Sequence, residues 1–265
     1  MEQTSALIAA DRTVLRIGGS GARDFLQGLV SNDLARLDRG AVYAALLTPQ
    51  GKYLFDFFLV AEGADVLLDV KSDRAQALAQ RLAMYRLRAP ITIDLAGREV
   101  ALGLGPAPEG AHPDPRDPRL GWRAYRPDAA AFVAALAPLD PERLTMLRVE
   151  LGVPETGVEL IPDESYILEM GFERLHGVDF RKGCYVGQEV TARMKHKTEL
   201  RKGLVRVAVE GEAPPPGTEI AAHGKPAGAL YTVQDGAGLA YLRFDRAEGD
   251  LSAGAARIRL REAAS

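Results

Sequence analysis

The chain has 265 residues, 47% of them apolar and 26% charged, with a net charge of −3. Those values describe a globular protein long enough for two or three modest domains, and they exclude wholesale disorder and fibrous repeats. The weakly acidic balance lacks the positive field of a dedicated nucleic-acid binder, so direct nucleic-acid binding is not expected.

One cysteine, Cys184, rules out an intrachain disulfide and a Cys-rich zinc or iron–sulfur site built from this chain alone, and the four histidines show no ligand spacing. No intrinsic metal is expected. The first twelve residues contain no basic segment followed by an apolar run, and nothing later approaches the roughly 18 apolar residues of a membrane span. A cytoplasmic location without a membrane partner is the expectation.

In chain order, Thr13 to Ile17 alternates as a half-buried strand and stops at Gly18-Gly19. Ser20 is placed to cap a helix whose inner face carries Ala22, Phe25, Leu26 and Leu29, with Gln27 solvated. Ala41 to Leu47 and Tyr53 to Val60 form a hairpin around Pro49-Gln50-Gly51-Lys52, Gly51 taking the position that needs positive φ. Asp56 interrupts the second strand; it either faces solvent by alternation or is a buried carboxylate that needs a partner. Val66 to Val70 is a strand, and a helix capped by Ser72 follows with Leu78, Leu82 and Tyr85 inward, ending before Pro90.

Strands at 91–95 and 100–104 complete a β-α-β-rich unit of ferredoxin-like character. Gly103-Leu104-Gly105 lacks a third glycine and a following helix, so a dinucleotide fingerprint is rejected. Residues 106–118 read as an irregular loop, 120–125 as a strand, and 128–136 as a helix. Asp140-Pro141 opens the next helix, which buries Leu144, Leu147 and Leu151 and stops at Gly152. Arg148 beside that stripe is either an inward-facing anion ligand or an ordinary solvated arginine. Beyond residue 203, short strands separated by glycines form a small C-terminal β-barrel or sandwich.

The chemistry concentrates on Lys182-Gly183-Cys184-Tyr185-Val186-Gly187-Gln188-Glu189. Val178 to Lys202 holds seven bases and three acids, a local +4. Gln188 to Lys195 reads as a short helix, acidic first and basic last, with Gly187 near its N-cap and Cys184 just upstream. Nearby cations and a helix N-terminus lower a thiol's pKa, so Cys184 is either a reactive thiolate or a small buried hydrophobe.

This octet resembles the signature of the YgfZ family, folate-binding relatives of the glycine-cleavage T-protein, an aminomethyltransferase. Similar segments run across nearly the whole chain: Phe25-Leu26-Gln27-Gly28-Leu29 with Ser31-Asn32-Asp33-Leu34, Pro49-Gln50-Gly51-Lys52 with Asp56, Asp117-Pro118-Arg119 with Gly121-Trp122-Arg123, and Leu147 to Pro154. The resemblance implies an α+β fold of three domains in a ring, with ferredoxin-like α/β units and a C-terminal small β-barrel. Residues 1–45 with 141–196 would form the central folate-binding-type domain carrying the cysteine motif, 46–140 a ferredoxin-like α+β domain, and 197–265 the barrel.

The resemblance further implies a bound tetrahydrofolate or folate derivative. Asp56 matches the aspartate that faces the reactive folate nitrogen, Tyr43 a pocket tyrosine, and Arg148 an arginine holding the carboxylate-bearing end. It assigns Lys182, Gly183, Cys184, Tyr185, Gly187, Gln188 and Glu189 to a reactive-thiol site. Proteins of this group support iron–sulfur enzymes, tRNA-modifying ones among them, and include a mitochondrial assembly factor. The partners implied are folate and iron–sulfur enzymes or assembly proteins; the residues leave the oligomeric state open, with a monomer preferred.

Two departures separate the chain from the T-protein. The Thr-Gly-Tyr-Thr-Gly-Glu-type segment with its folate-binding glutamate is replaced by the loop leading to Gly121-Trp122-Arg123-Ala124-Tyr125, and the T-protein has no cysteine in its octet. The reading is a tetrahydrofolate-binding accessory protein for assembly or repair of iron–sulfur clusters, using Cys184 as its thiol. A folate-dependent aminomethyl or one-carbon transferase relying on Asp56 is the alternative. A thiol hydrolase pairing Cys184 with His112, His176, His196 or His223 has no nucleophile motif behind it. A phosphate-binding patch around Tyr185 runs against the acidic balance.

Overall fold

The computed structural model describes residues 3–196 and 199–261. The chain forms two compact units, Met1–Pro141 with Glu173–Gln188, and Glu142–Phe172 with Glu189–Ser265. Residues 45 and 46 are neighbours within the Val42–Leu47 strand, and the first unit includes residues on both sides of them.

The first unit holds two five-stranded sheets. One runs in the order Val42–Leu47, Tyr53–Glu62, Asp65–Lys71, Arg12–Gly18, Thr92–Leu95, with all neighbours antiparallel. Its central strands are buried on both faces. Leu15, Ile17, Phe57, Leu59 and Leu68 form one core with Leu26 of the Ala22–Gln27 helix and Leu78 and Leu82 of the Ser72–Arg86 helix. The opposite face carries Val14, Val60 and Leu67, which join Val100 and Tyr125 of the second sheet in another cluster. That second sheet runs Ala137–Pro138, Ser5–Ile8, Glu99–Leu104, Trp122–Arg126, Ala111–Pro113.

On the same face as Val14, Val60 and Leu67 lie Arg12, Phe58 and Asp69, as the strand register requires. Asp69 is fully buried. Its carboxylate accepts from Arg12 Nε at 2.6 Å, from Tyr125 Oη at 3.1 Å, and from Arg123 Nη1. Arg123 also lies 3.6 Å from the buried Asp114, and its guanidinium sits over the Phe58 ring, 3.3 Å from the centroid. Its Nε is buried without a hydrogen-bond partner.

Several expectations need correction. Ser20 and Ser72 do not cap: Gly21 and Lys71 hold the N-cap positions without side-chain bonds. The Ser72 hydroxyl instead accepts from Thr13 Oγ1, and its N–H donates to the Asp11 carbonyl. Gln27 is not simply solvated; its amide bonds Asp33 and the Leu34 N–H. The stretch 106–118 contains the Ala111–Pro113 strand, and Ser5–Ile8 and Ala137–Pro138 pair in parallel. These strands are too short to show a period. Gly103 is packing space: an added Cβ would collide with the Trp122 ring.

In the second unit the Pro141–Glu150 helix buries Val149, and Leu151 after it, while Leu144 and Leu147 stay partly exposed. Gly152 ends it at φ 64°, with the Val153 N–H returning to the Arg148 carbonyl. Six strands from Lys202–Glu210 to Ala256–Leu260 close a barrel around Val207, Ile220, Leu230, Leu242, Leu251 and Ile258. Closure leaves no open sheet edge there.

Replacing Asp69 by Asn would leave Arg12 and Arg123 without their shared counter-charge. The expected loss is about 3–5 kcal/mol of unfolding free energy, read from urea denaturation.

Candidate functional site

The octet rests on a bed made by residues 27–34. Ser31 Oγ donates to the Gly177 carbonyl at 2.6 Å and accepts from the Ala45 N–H. Asn32 Nδ2 donates both to the Tyr43 carbonyl and to the His176 carbonyl. Asp179 follows: its N–H donates to the Ser31 carbonyl, and its carboxylate pairs with Arg36 and accepts from the Arg181 N–H. Burial raises the Asp179 pKa, but those bonds outweigh it and hold the group below the usual range.

Lys182 is 7% exposed, and its ammonium donates to three carbonyls: Gln27 at 2.7 Å, Val30 at 2.5 Å and Asn32 at 3.0 Å. Three donors meet three acceptors, so the ammonium is committed to the bed. Burial lowers its pKa to about 8, with Asp33 and Asp179 working against the fall. The three donors of Lys182 are thus committed to backbone carbonyls, while its positive charge stays two residues from the thiol.

Gly187, at φ 82°, packs against the hairpin turn: a Cβ there would lie 2.6 Å from the Thr48 carbonyl oxygen and 3.1 Å from Gly51 Cα. Gly183 has no such crowding, with nothing within 4 Å of an added Cβ. Tyr185 is buried, its ring 5.1 Å from Lys182 Nζ, and its N–H donates to Gln188 Oε1 at the start of the Gln188–His196 helix. Glu189 is exposed and pairs with Arg193. Between buried Lys182 and buried Tyr185, Cys184 is exposed, which excludes the buried-hydrophobe reading.

Asp56 is buried, resolving the alternation question against solvent. Its two oxygens accept from Tyr43 Oη at 2.9 Å and Tyr53 Oη at 2.7 Å. Tyr53 reaches Asp56 through a bulge. Leu47 opposes Tyr53 and Leu46 opposes Phe55, so Leu54 is the extra residue and positions 53 and 56 come to one face. Gly51, in the turn before, has the expected positive φ of 76°. Burial, aided by the Asp56 charge, pushes the Tyr43 hydroxyl well above the usual tyrosine range.

Arg116, in the loop 106–118, stands over the Tyr43 and Phe58 rings at 5.3 and 4.7 Å. Asp114 holds it through two hydrogen bonds of 3.0 and 2.8 Å. Tyr53 and Arg116 are site residues that the sequence reading missed. The bulge hides Tyr53, and the loop gives Arg116 no periodicity.

Arg148 lies in the second unit. Its Nη1 donates to the Val153 carbonyl and to the fully buried Glu159, its Nη2 to Thr232 Oγ1, and its Nε lies 3.4 Å from Glu155. It organises the 153–159 segment against the barrel strand Lys225–Gln234.

With this geometry in place, the mouse and human proteins named iron–sulfur cluster assembly factor IBA57, mitochondrial, align with the chain at 32% identity over 278 and 276 residues. Each alignment covers 91% of this chain and 78% of the relative. The chain belongs to the IBA57 family of iron–sulfur cluster assembly factors. A homolog from Mycosarcoma maydis is 32% identical over 234 residues, spanning 79% of this chain and 58% of that relative. Residues 201–264 match the family model described as CAF17, C-terminal beta-barrel domain. The glycine cleavage system aminomethyltransferase T from Bartonella henselae matches with a TM-score of 0.71 at 15% identity, covering 97% of this chain and 84% of that one. That likeness establishes the T-protein-type fold.

The YgfZ resemblance therefore narrows to IBA57. The cytoplasmic expectation is overturned, because the IBA57 relatives carry mitochondrial names.

The Lys182 pKa lies below its ordinary 10.5, so between about pH 8 and 10.5 the unfolded chain binds more protons than the folded one. Stability contributed by this group rises as pH climbs through that window. Lys182→Met should abolish that rise and, by stripping three carbonyls of their donor, cost about 1–3 kcal/mol at neutral pH. Urea denaturation of both proteins at a series of pH values measures this.

Proposed function

We propose that the chain serves assembly or repair of iron–sulfur clusters by presenting the Cys184 thiolate to a cluster or to a partner that carries one. The supporting observation is an exposed thiol on a backbone pinned on both sides, by Lys182 on three carbonyls and by Gly187 on the hairpin turn. A ligand held on a fixed segment loses little conformational freedom on engaging its target. Iron–sulfur enzymes or assembly proteins are the partners this reading implies.

The reading includes tetrahydrofolate or a folate derivative at Asp56, whose chemistry would be to carry or accept a one-carbon unit. The residues at Asp56 suit such a ring. Tyr43 and Tyr53 each donate to one carboxylate oxygen, so a ring N–H would meet a carboxylate already held in place by two phenols. Arg148 suits it less well, because three of its N–H groups are taken by Val153, Glu159 and Thr232, and a ligand carboxylate would have to displace them to be held bidentately. A one-carbon transferase remains the second reading, favoured by the burial of Asp56; it would form methylene-tetrahydrofolate from an aminomethyl donor without Cys184.

In cells lacking the protein, Cys184→Ser should fail to restore iron–sulfur enzyme activity while melting like the wild type, since the side chain is exposed. Full restoration would sink the thiol role. Separately, Asp56→Asn should weaken tetrahydrofolate binding by about tenfold in titration calorimetry, the worth of one charge-assisted hydrogen bond. A wild-type protein that binds no tetrahydrofolate would remove the cofactor.

A further inference from the structure

The Ser72–Arg86 helix buries Ala75, Leu78 and Leu82, yet its last turn carries apolar groups that face outward. Met84 is 70% exposed, and Leu87, just past the helix, is 88% exposed. Leu87 also sits at φ 43°, a left-handed conformation that bulky L residues seldom adopt. A strained leucine that gains no burial points to a use outside the fold.

Along the sequence on either side of it the charge is of one sign. Between Asp73 and Asp94 the sequence has four arginines, at 74, 81, 86 and 88, and no acid. Arg74 is occupied with the Leu54 carbonyl and the Phe55 ring. Arg81, Arg86 and Arg88 make no hydrogen bond or ion pair among the described residues. Their charge exceeds the partial negative charge, about half a unit, of the helix C-terminus.

Beside this turn lies a groove of about 500 Å³ walled by Arg16, Gly18, Gly19, Asp65, Arg86 and residues 89–92. Asp65 is already engaged: one oxygen accepts the Gly19 N–H at 2.9 Å, and the other lies 4.0 Å from Arg16 Nε. That Nε is buried with no hydrogen-bond partner. Asp94 stands opposite Arg16 in the strand register and is exposed.

A cationic groove flanked by projecting, non-aromatic apolar side chains and unpaired arginines matches an anionic bilayer surface. Phosphate oxygens suit the groove, and Met84 and Leu87 are placed to enter the acyl boundary. We propose that this end of the first unit docks peripherally on membranes rich in anionic phospholipid. A protein partner would more typically meet a flat or pocketed patch with aromatic anchors.

Co-sedimentation of the full chain with phosphatidylcholine vesicles, with and without an anionic phospholipid, tests this. Binding is expected only to the anionic vesicles, weakening at high salt and falling at least about tenfold in Arg86→Glu/Arg88→Glu. Leu87→Gly should weaken binding to the same vesicles while raising the melting temperature, since it relieves the left-handed strain without removing a buried group. Equal binding to neutral vesicles, no binding to anionic vesicles at low salt, or insensitivity to these substitutions would overturn the proposal. So would inorganic phosphate bound in the groove by a protein that ignores vesicles.

Discussion

A carboxylate with no exposure at all must be neutralised where it stands, and at Asp69 that need governs how the two sheets of the first unit meet. Arg12 reaches it from the neighbouring strand, and Arg123 and Tyr125 reach it from the second sheet. Arg123 then lies across Phe58 and beside Asp114, Asp114 clamps Arg116, and Arg116 covers Tyr43. The Tyr43–Asp56–Tyr53 group is thus the far end of a line of alternating charges and rings that begins at Asp69. Its geometry is inherited from sheet packing, passed on through Asp114 and Arg116 of the loop 106–118.

What could be read from the amino-acid order follows the same physics. The hairpin at Gly51, the stop at Gly152 and the basic helix after Gly187 announce themselves through local chemistry. Asp56 did not, because Tyr53–Glu62 is buried on both faces and alternation then carries no information about which side meets water. Tyr53 stayed hidden for a sharper reason: the extra residue Leu54 shifts the phase of the strand, so two residues three apart act as neighbours. Ser20 and Ser72 look like caps but are not, since a hydroxyl next to a helix start has competing uses.

Ser31 and Asn32 show how distant parts of the chain become one site. Nothing in their local context distinguishes them from turn residues. In the fold they hold the backbone at His176 and Gly177, about 145 positions later, against the Val42–Leu47 strand. The similarity to the YgfZ-type pattern marked this segment without saying why it is there. Its carbonyls are the seat for Lys182, and through Lys182 they set the position of Cys184.

That seat places two nucleophiles two residues apart under opposite regimes. The amine of Lys182 is sealed against carbonyl oxygens, while the thiol of Cys184 is open. Electrophiles and oxidants that reach this surface meet sulfur first, and acylating agents find no amine while the segment stays closed. Covalent modification of Lys182 would therefore serve as a chemical record that the loop had opened, and modification of Cys184 alone as a record that it had not.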